Sequence, residues 1–145
     1  MLVRSFGRDS EIELRLERGL VFVPTPEMKR VSGVTWANAD NLIWHVAYLR
    51  GSQAIGVVGS FIKGGVARFR TDVVLPEYRG QGLYTMLFLL RQDYAQAQGC
   101  TQATTFSNLN SRPMYLKHGF VGQRPERNGV LYMVKTFTHQ KTWQI

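Results

Sequence analysis

The apolar positions of this 145-residue chain change their period part-way along it. Leu42–Arg50 is apolar and aromatic, Gly51-Ser52-Gln53 is turn-like, and Ala54–Ile62 is apolar again. Lys63-Gly64-Gly65 makes a second turn before Val66–Leu75, which ends at Pro76. Short turns between such runs predict hairpins and hence an antiparallel meander. Leu83, Met86, Leu87, Leu90 and Tyr94 then recur at helical spacing, and Gly99 closes that helix. A strand is expected at Gln102–Phe106. Ser111–His118 reads as a short helix stopped by Gly119, with Pro113 tolerated in its first turn. Phe120–Arg124 and Val130–Phe137 form a hairpin through Glu126-Arg127-Asn128-Gly129, and Val130–Phe137 is a candidate exposed sheet edge.

The first forty residues carry a weaker pattern. Ile12, Leu14 and Leu16 alternate with Glu13, Arg15 and Glu17, which predicts a half-buried strand, with a helix after Ser10 as the competing reading. Pro24 and Pro26 break the chain after the apolar run Leu20–Val23. The element order predicts an α/β (α+β) fold: a mixed sheet with an antiparallel N-terminal meander, a parallel pair bridged by the first long helix, and a C-terminal hairpin. With no repeat and no long linker, residues 1–145 are read as one domain.

Charge adds a constraint. Eighteen Lys and Arg against ten Asp and Glu give a net charge of +8, which favours anionic partners: nucleic acid, an anionic membrane or a polyphosphate cofactor. The basic residues are scattered, as at Arg4, Arg8, Arg15, Arg18, Arg50, Arg68 and Arg70, and form no block. Cys100 is the single cysteine, which excludes an internal disulfide framework, and neither it nor any pair of histidines has metal-ligand spacing. No apolar run approaches the roughly 18 residues of a membrane helix, and the N-terminus lacks a signal core. These features predict a soluble, cytoplasmic protein without a membrane partner.

The most informative stretch is Asp72-Val73-Val74-Leu75-Pro76-Glu77-Tyr78-Arg79-Gly80-Gln81-Gly82-Leu83. A strand enters, two glycines allow a tight turn, and an amphipathic helix leaves. The first turn of a helix has amides without intrahelical partners, and its dipole adds partial positive charge. Gly80 and Gly82 let an anion approach those amides, and Arg79 adds a permanent cation. The chemistry is that of a pyrophosphate site, against the alternative of a glycine turn without a ligand. A P-loop would need Gly-Lys-Ser/Thr, which is missing; a dinucleotide fingerprint from Gly80 would need a third glycine where Thr85 stands.

Pro76-Glu77-Tyr78-Arg79-Gly80-Gln81-Gly82-Leu83 resembles motif A of the GCN5-related N-acetyltransferase (GNAT) superfamily, which reads Arg/Gln-x-x-Gly-x-Gly/Ala. Asn108, Ser111, Tyr115, Gly119 and Phe120 are similar to that family's Asn-x-x-Ala-x-x-x-Tyr-x-x-x-Gly-Phe. Two motifs in order, separated by one helix and one strand, are far more specific than either alone. The resemblance covers roughly residues 66–137, which it makes the cofactor-binding core, and leaves 1–41 to acceptor-side elements.

The resemblance implies acetyl-CoA as acyl donor, held by Val74, Arg79, Gly80, Gln81, Gly82, Leu83, Tyr84, Asn108 and Ser111, with an oxyanion donor among the amides near Val73 or Val74. It implies direct attack by a primary amine in a ternary complex, with Tyr115 protonating the departing thiolate. Asp72 is the candidate base, since burial in an apolar strand would suit a carboxylate to take up a proton. The residues themselves leave alternatives open: Tyr115 as a packed core tyrosine, Asn108 as a turn residue or helix cap, Asp72 as a structural hydrogen-bonding group. Tyr84 replaces the family's usual Gly or Ala, and Ser111 its usual Ala.

The acceptor class is a small-molecule or peptide amine, and a basic protein repels polycationic acceptors unless an acidic patch is built from Asp9, Glu11, Glu13, Glu17, Asp40, Asp72 or Glu77. Two other readings follow from the charge and from Tyr84. One is an enzyme of the same fold directed at a base or aminoacyl group on RNA; the other is a non-catalytic module binding CoA or a partner. Monomer and homodimer both fit. Cys100, His45, His118, His139, Trp36, Trp44 and Trp143 read as packing or surface residues, the tryptophans also as a substrate platform.

Overall fold

A period of two buries Ile12 and Leu14 while leaving Glu13 half-buried and Arg15 exposed, so the alternating segment forms a strand and not the competing helix. In the computed structural model, which describes residues 2–3, 12–19, 22–32, 36, 41–49 and 53–138, this strand is β2 (Ile12–Arg18), preceded by β1 (Leu2–Val3). Helix α1 (Pro26–Ser32), β3 (Leu42–Leu49), β4 (Ala54–Lys63) and β5 (Val66–Val74) follow. A 3-10 turn at Pro76–Tyr78 leads to α2 (Leu83–Ala97), β6 (Gln102–Ser107), α3 (Arg112–Lys117), β7 (Val121–Gly122) and β8 (Leu131–Thr136).

The eight strands described form one sheet in the order β1-β2-β3-β4-β5-β6-β8-β7. All neighbours are antiparallel except β5 and β6, which α2 connects in parallel. The fold class, with its meander, bridged parallel pair and C-terminal hairpin, is therefore as expected. Two details differ. Strand β8 lies between β6 and β7, so residues 130–137 do not form a sheet edge; the short β7 does. Helix α1 was not expected: the Thr25 hydroxyl accepts the Met28 N–H at 3.1 Å, and Pro26 takes the first helical position, where its missing N–H does no harm. The turn residues Gly51 and Ser52, and Asp9, Glu11, Asp40, His139 and Trp143, lie outside the described residues.

Both faces of the central sheet are covered. On one, Trp44 lies so close over Gly59 that a Cβ there would meet the indole Cζ3 at 2.5 Å, and Phe22 and Trp36 pack on Trp44 at centroid separations of 5.5 and 5.7 Å. Trp44 is thus a core residue. On the other face α2 buries Leu83, Leu87, Phe88, Arg91 and Ala95. A Cβ at Gly56 would sit 3.1 Å from Leu87, so the helix approaches β4 closely only because that position lacks a side chain. Among the described residues no helix is long and apolar enough to cross a membrane.

A bulge in β5 positions the site. Val57 pairs with Val73 and Gly59 with Arg70, so Thr71 and Asp72 on β5 oppose Val58 alone. Thr71 takes up the extra residue at φ 56°, a left-handed backbone unusual for a β-branched side chain. Beyond it the alternation is inverted: Phe69, Asp72 and Val74 all face α2, whereas a regular strand would turn Asp72 to the other side of Phe69. Pairing between β5 and β6 stops at Phe69 and Thr105, where the Thr105 hydroxyl donates to the Phe69 carbonyl at 3.1 Å, and the strands then part.

His45 on β3 is 8% exposed, packs edge-on against Tyr94 at 5.3 Å and has no hydrogen-bond partner for Nδ1 among the described residues. Burial, then the nearby Arg91 charge, pushes its pKa down from 6.5 to about 4. The unfolded chain therefore binds the proton more tightly. Stability is unaffected above pH 6.5 and declines as the pH falls from 6.5 to 4, by about 3 kcal/mol from this group. Urea unfolding of wild type and His45→Gln across that range checks this: the gap between the two should change by about that amount, and parallel curves would refute it.

Candidate active site

The chain leaves β5 through Leu75, whose N–H donates to Ile55 on β4 at 2.9 Å. Main-chain groups alternate along a strand, so Val74, one residue back, turns its N–H and C=O away from β4 into the gap left by β6. There the Arg79 Nε donates to the Val74 carbonyl at 2.8 Å. Gly80 and Gly82 follow with φ of 74° and 86°, conformations that a side chain would strain. Gly82 is the N-cap of α2 and supplies no capping side chain. The first bond in from this end runs from the Met86 N–H to the Gly82 carbonyl at 3.0 Å, so the amides of Leu83, Tyr84 and Thr85 have no helical acceptor.

This helix end opens into a cavity of about 550 Å³ lined by Val74, Tyr78, Arg79, Gly80, Gly82 and Tyr84, among others. A second cavity, about 390 Å³, lies in the splay between β5 and β6 and includes Arg68, Arg70, Thr105, Phe106 and Tyr115. Ser32, Asp72, Val73, Asn108 and Ser111 line both, so the two meet at the bulge. Of the expected cofactor residues, Leu83 is buried in the core and offers only its main chain. Gln81 lies on the loop, its Nε2 donating to the Glu77 carbonyl at 3.3 Å.

Between the cavities and α2 lies a buried polar cluster. Arg91, wholly buried, grips Asp72 with both guanidinium ends: Nη1 to Oδ1 at 2.6 Å and Nη2 to Oδ2 at 3.0 Å. The Tyr84 and Tyr115 hydroxyls both donate to Oδ2, at 2.5 and 2.7 Å. Arg91 also donates to the Tyr115 oxygen at 3.1 Å and to the Gly59 carbonyl at 3.2 Å, and its guanidinium lies 4.1 Å from the Phe69 ring centroid. Burial opposes the charge on Arg91, but the Asp72 carboxylate and the phenols beside it outweigh that and raise its pKa. Both phenols have raised pKa values, first through burial; for Tyr84 the Asp72 charge adds next, while for Tyr115 the Arg91 charge pulls the other way.

This geometry corrects the expectation for Asp72. The carboxylate is not free to act as a base: it is half of a buried ion pair and accepts four hydrogen bonds, in keeping with the alternative of a structural hydrogen-bonding group. Its partner Arg91 was missed altogether. The signal was there: Arg91 stands four residues after Leu87 and three after Phe88, on the apolar stripe of α2, and a buried aspartate requires a cation. Tyr84 now has a reason to replace a small residue, since its hydroxyl completes the cluster. Asn108 is engaged as a cap: its Oδ1 accepts the N–H groups of Asn110 and Ser111, each at 2.9 Å, which leaves the Nδ2 end to donate elsewhere.

A strand bulge that splays a parallel pair, beside a helix whose bare N-terminus faces the gap, defines an open cleft for an elongated ligand with an anionic end. Residues 12–120 match the model of the acetyltransferase (GNAT) family, and the protein belongs to that family. Its fold is that of a putative N-acetyltransferase from Lactobacillus plantarum, 18% identical, with a TM-score of 0.69 over 86% of this chain and 97% of that one. An IAA acetyltransferase from Bacillus cereus is 14% identical, with a TM-score of 0.65 over 86% and 100%. The PaiA N-acetyltransferase of Thermoplasma acidophilum, crystallised with coenzyme A, is 17% identical with a TM-score of 0.60, over 67% of this chain but only 62% of that one. No curated protein sequence matches the chain.

Proposed function

We propose that this protein is an acetyl-CoA-dependent N-acetyltransferase, built as one domain around residues 66–137, in which a primary amine attacks the thioester directly. The observation that carries the reading is the uncapped N-terminus of α2, aimed into a cavity that joins a second one at the bulge. The diphosphate would take the amides from Gly80 to Thr85, with Arg79 beside them. The pantetheine arm would run along the freed edge of β5 past Asn108 and Ser111. The Val74 N–H, directed into the gap, would donate to the oxyanion.

The amine must be neutral to attack, which for an alkylammonium of pKa ~10.4 costs about 4.6 kcal/mol at pH 7. Attack forms the C–N bond; collapse breaks the C–S bond, and the sulfur leaves as a thiolate. Tyr115, which lines the second cavity, turns its hydroxyl hydrogen from Asp72 to that sulfur, Arg91 stabilises the charge left on the phenol oxygen, and a proton from solvent restores the phenol. Asp72 acts as a positioning residue that orients both phenols, and the amine's excess proton leaves to solvent.

Thermal unfolding with CoA or acetyl-CoA, against ATP as a control, tests the reading. At ~100 times the dissociation constant the gain is about 2.7 kcal/mol, or roughly 5–10 °C for a domain of this size. No shift, or an equal shift with ATP, refutes it.

A further inference from the structure

The second cavity has an unbalanced charge. Arg68 and Arg70 line it from β5, two residues apart and so on one face of the strand, roughly 7 Å from each other along it. That face is opposite to the one carrying Asp72, because Arg70 pairs with Gly59 before the bulge inverts the alternation. Neither guanidinium makes an ion pair or hydrogen bond among the described residues. Carboxylates are scarce around them. The residues lining the three described cavities include two, Asp72 and Glu126, and each is held by an arginine: Asp72 by Arg91, Glu126 by Arg112 at 2.7 Å.

A polyamine or a lysine-rich peptide would bring positive charge to two arginines beside which, among the described residues, no free carboxylate lines the cavity. An amine that carries its own anion is attracted instead, because guanidinium groups bind carboxylate and phosphate oxygens through paired, charge-assisted hydrogen bonds. An apolar surface lies alongside. Phe106 lines the same cavity, is 56% exposed and packs on Tyr132 at 4.9 Å, and Arg124 lies 4.5 Å over the Tyr132 ring.

We infer that the acceptor is a small amine bearing a carboxylate or phosphate, its anion held by Arg68 and Arg70, its apolar part against Phe106, and its nitrogen directed toward the bulge at Asp72 and Val73. This inference rests on the acetyltransferase reading and specifies its substrate class.

The test uses the full chain with acetyl-CoA, thiol release as readout, and acceptors in matched pairs: a hydrophobic amino acid with its carboxamide, an aminoalkyl phosphate with the parent amino alcohol, and a polyamine apart. The anionic member of one pair should exceed its neutral partner in kcat/KM by about 10- to 100-fold, and which pair does so separates carboxylate from phosphate. Arg70→Gln and Arg68→Gln should each bring that ratio toward one, mainly through KM, while the melting shift given by CoA stays unchanged. A second arm needs no catalysis: the matching N-acetylated acid should raise the melting temperature of wild type more than of either variant. If that holds while CoA gives no shift, the anion site stands and the cofactor reading fails. Equal turnover of charged and neutral partners, preference for the polyamine, turnover confined to amines on RNA or peptides, or ratios that survive both substitutions would overturn the inference.

Discussion

Replacing Arg91 by alanine is expected to lower the melting temperature by about 6–18 °C, the largest effect of any single substitution in the site. The guanidinium is fully buried and supplies two bonds to Asp72, one to Tyr115 and one to the Gly59 carbonyl. Removing one partner of a buried ion pair strands the other, which costs about 3–5 kcal/mol. Against a total stability of about 5–15 kcal/mol that is a large share. The pair Arg91→Met with Asp72→Asn distinguishes a stranded charge from lost packing. Without a bare carboxylate the double variant should melt several degrees above Arg91→Ala, even though it has one more substitution. A drop of less than ~3 °C for Arg91→Ala would mean that the cluster is open to water and not the buried pair described.

Tyr115→Phe is expected to lower kcat by about 10²- to 10⁴-fold while leaving the CoA-induced melting shift intact, because the hydroxyl serves the leaving sulfur and not the cofactor's anionic end. The phenol is held between opposing influences: burial and the Asp72 carboxylate raise its pKa, and Arg91 lowers it. Asp72→Asn should therefore lower that pKa and move the alkaline limb of the pH–kcat profile to lower pH. A purely structural role for Asp72 would leave the profile in place and reduce only the amount of folded enzyme. Equal turnover by wild type and Tyr115→Phe would remove the tyrosine from the chemistry and leave it as a core residue.

Local rules made much of this molecule legible before any coordinates. The meander follows from apolar runs joined by Gly-containing turns, and α2 from the recurrence of Leu83, Leu87 and Leu90, because period and turn chemistry act over a few residues. The strand–glycine loop–helix was readable for the same reason: Gly80 and Gly82 are needed at positive φ, and the bare helix end follows from having glycine at the N-cap. Helix α1 also has a local signal, Thr25 followed by Pro26, but a proline breaks a chain as readily as it starts a helix, so the signal is ambiguous in sequence.

The sequence by itself determined the order of elements from β3 onward, the glycine turn before α2 and the family to which the motifs point, all consequences of spacing within short segments. Only the tertiary structure decided what those residues do to one another. Asp72 and Arg91 are 19 residues apart, Asp72 and Tyr115 are 43 apart, and no local pattern encodes their meeting. The single extra residue at Thr71 turns Asp72 toward α2, and the same inversion leaves Arg68 and Arg70 on the opposite face beside the second cavity. A bulge is a disagreement in count between two strands, visible only once they are paired; burial then makes Arg91 the obligatory partner of Asp72, since a lone charge cannot remain inside the sheet–helix interface.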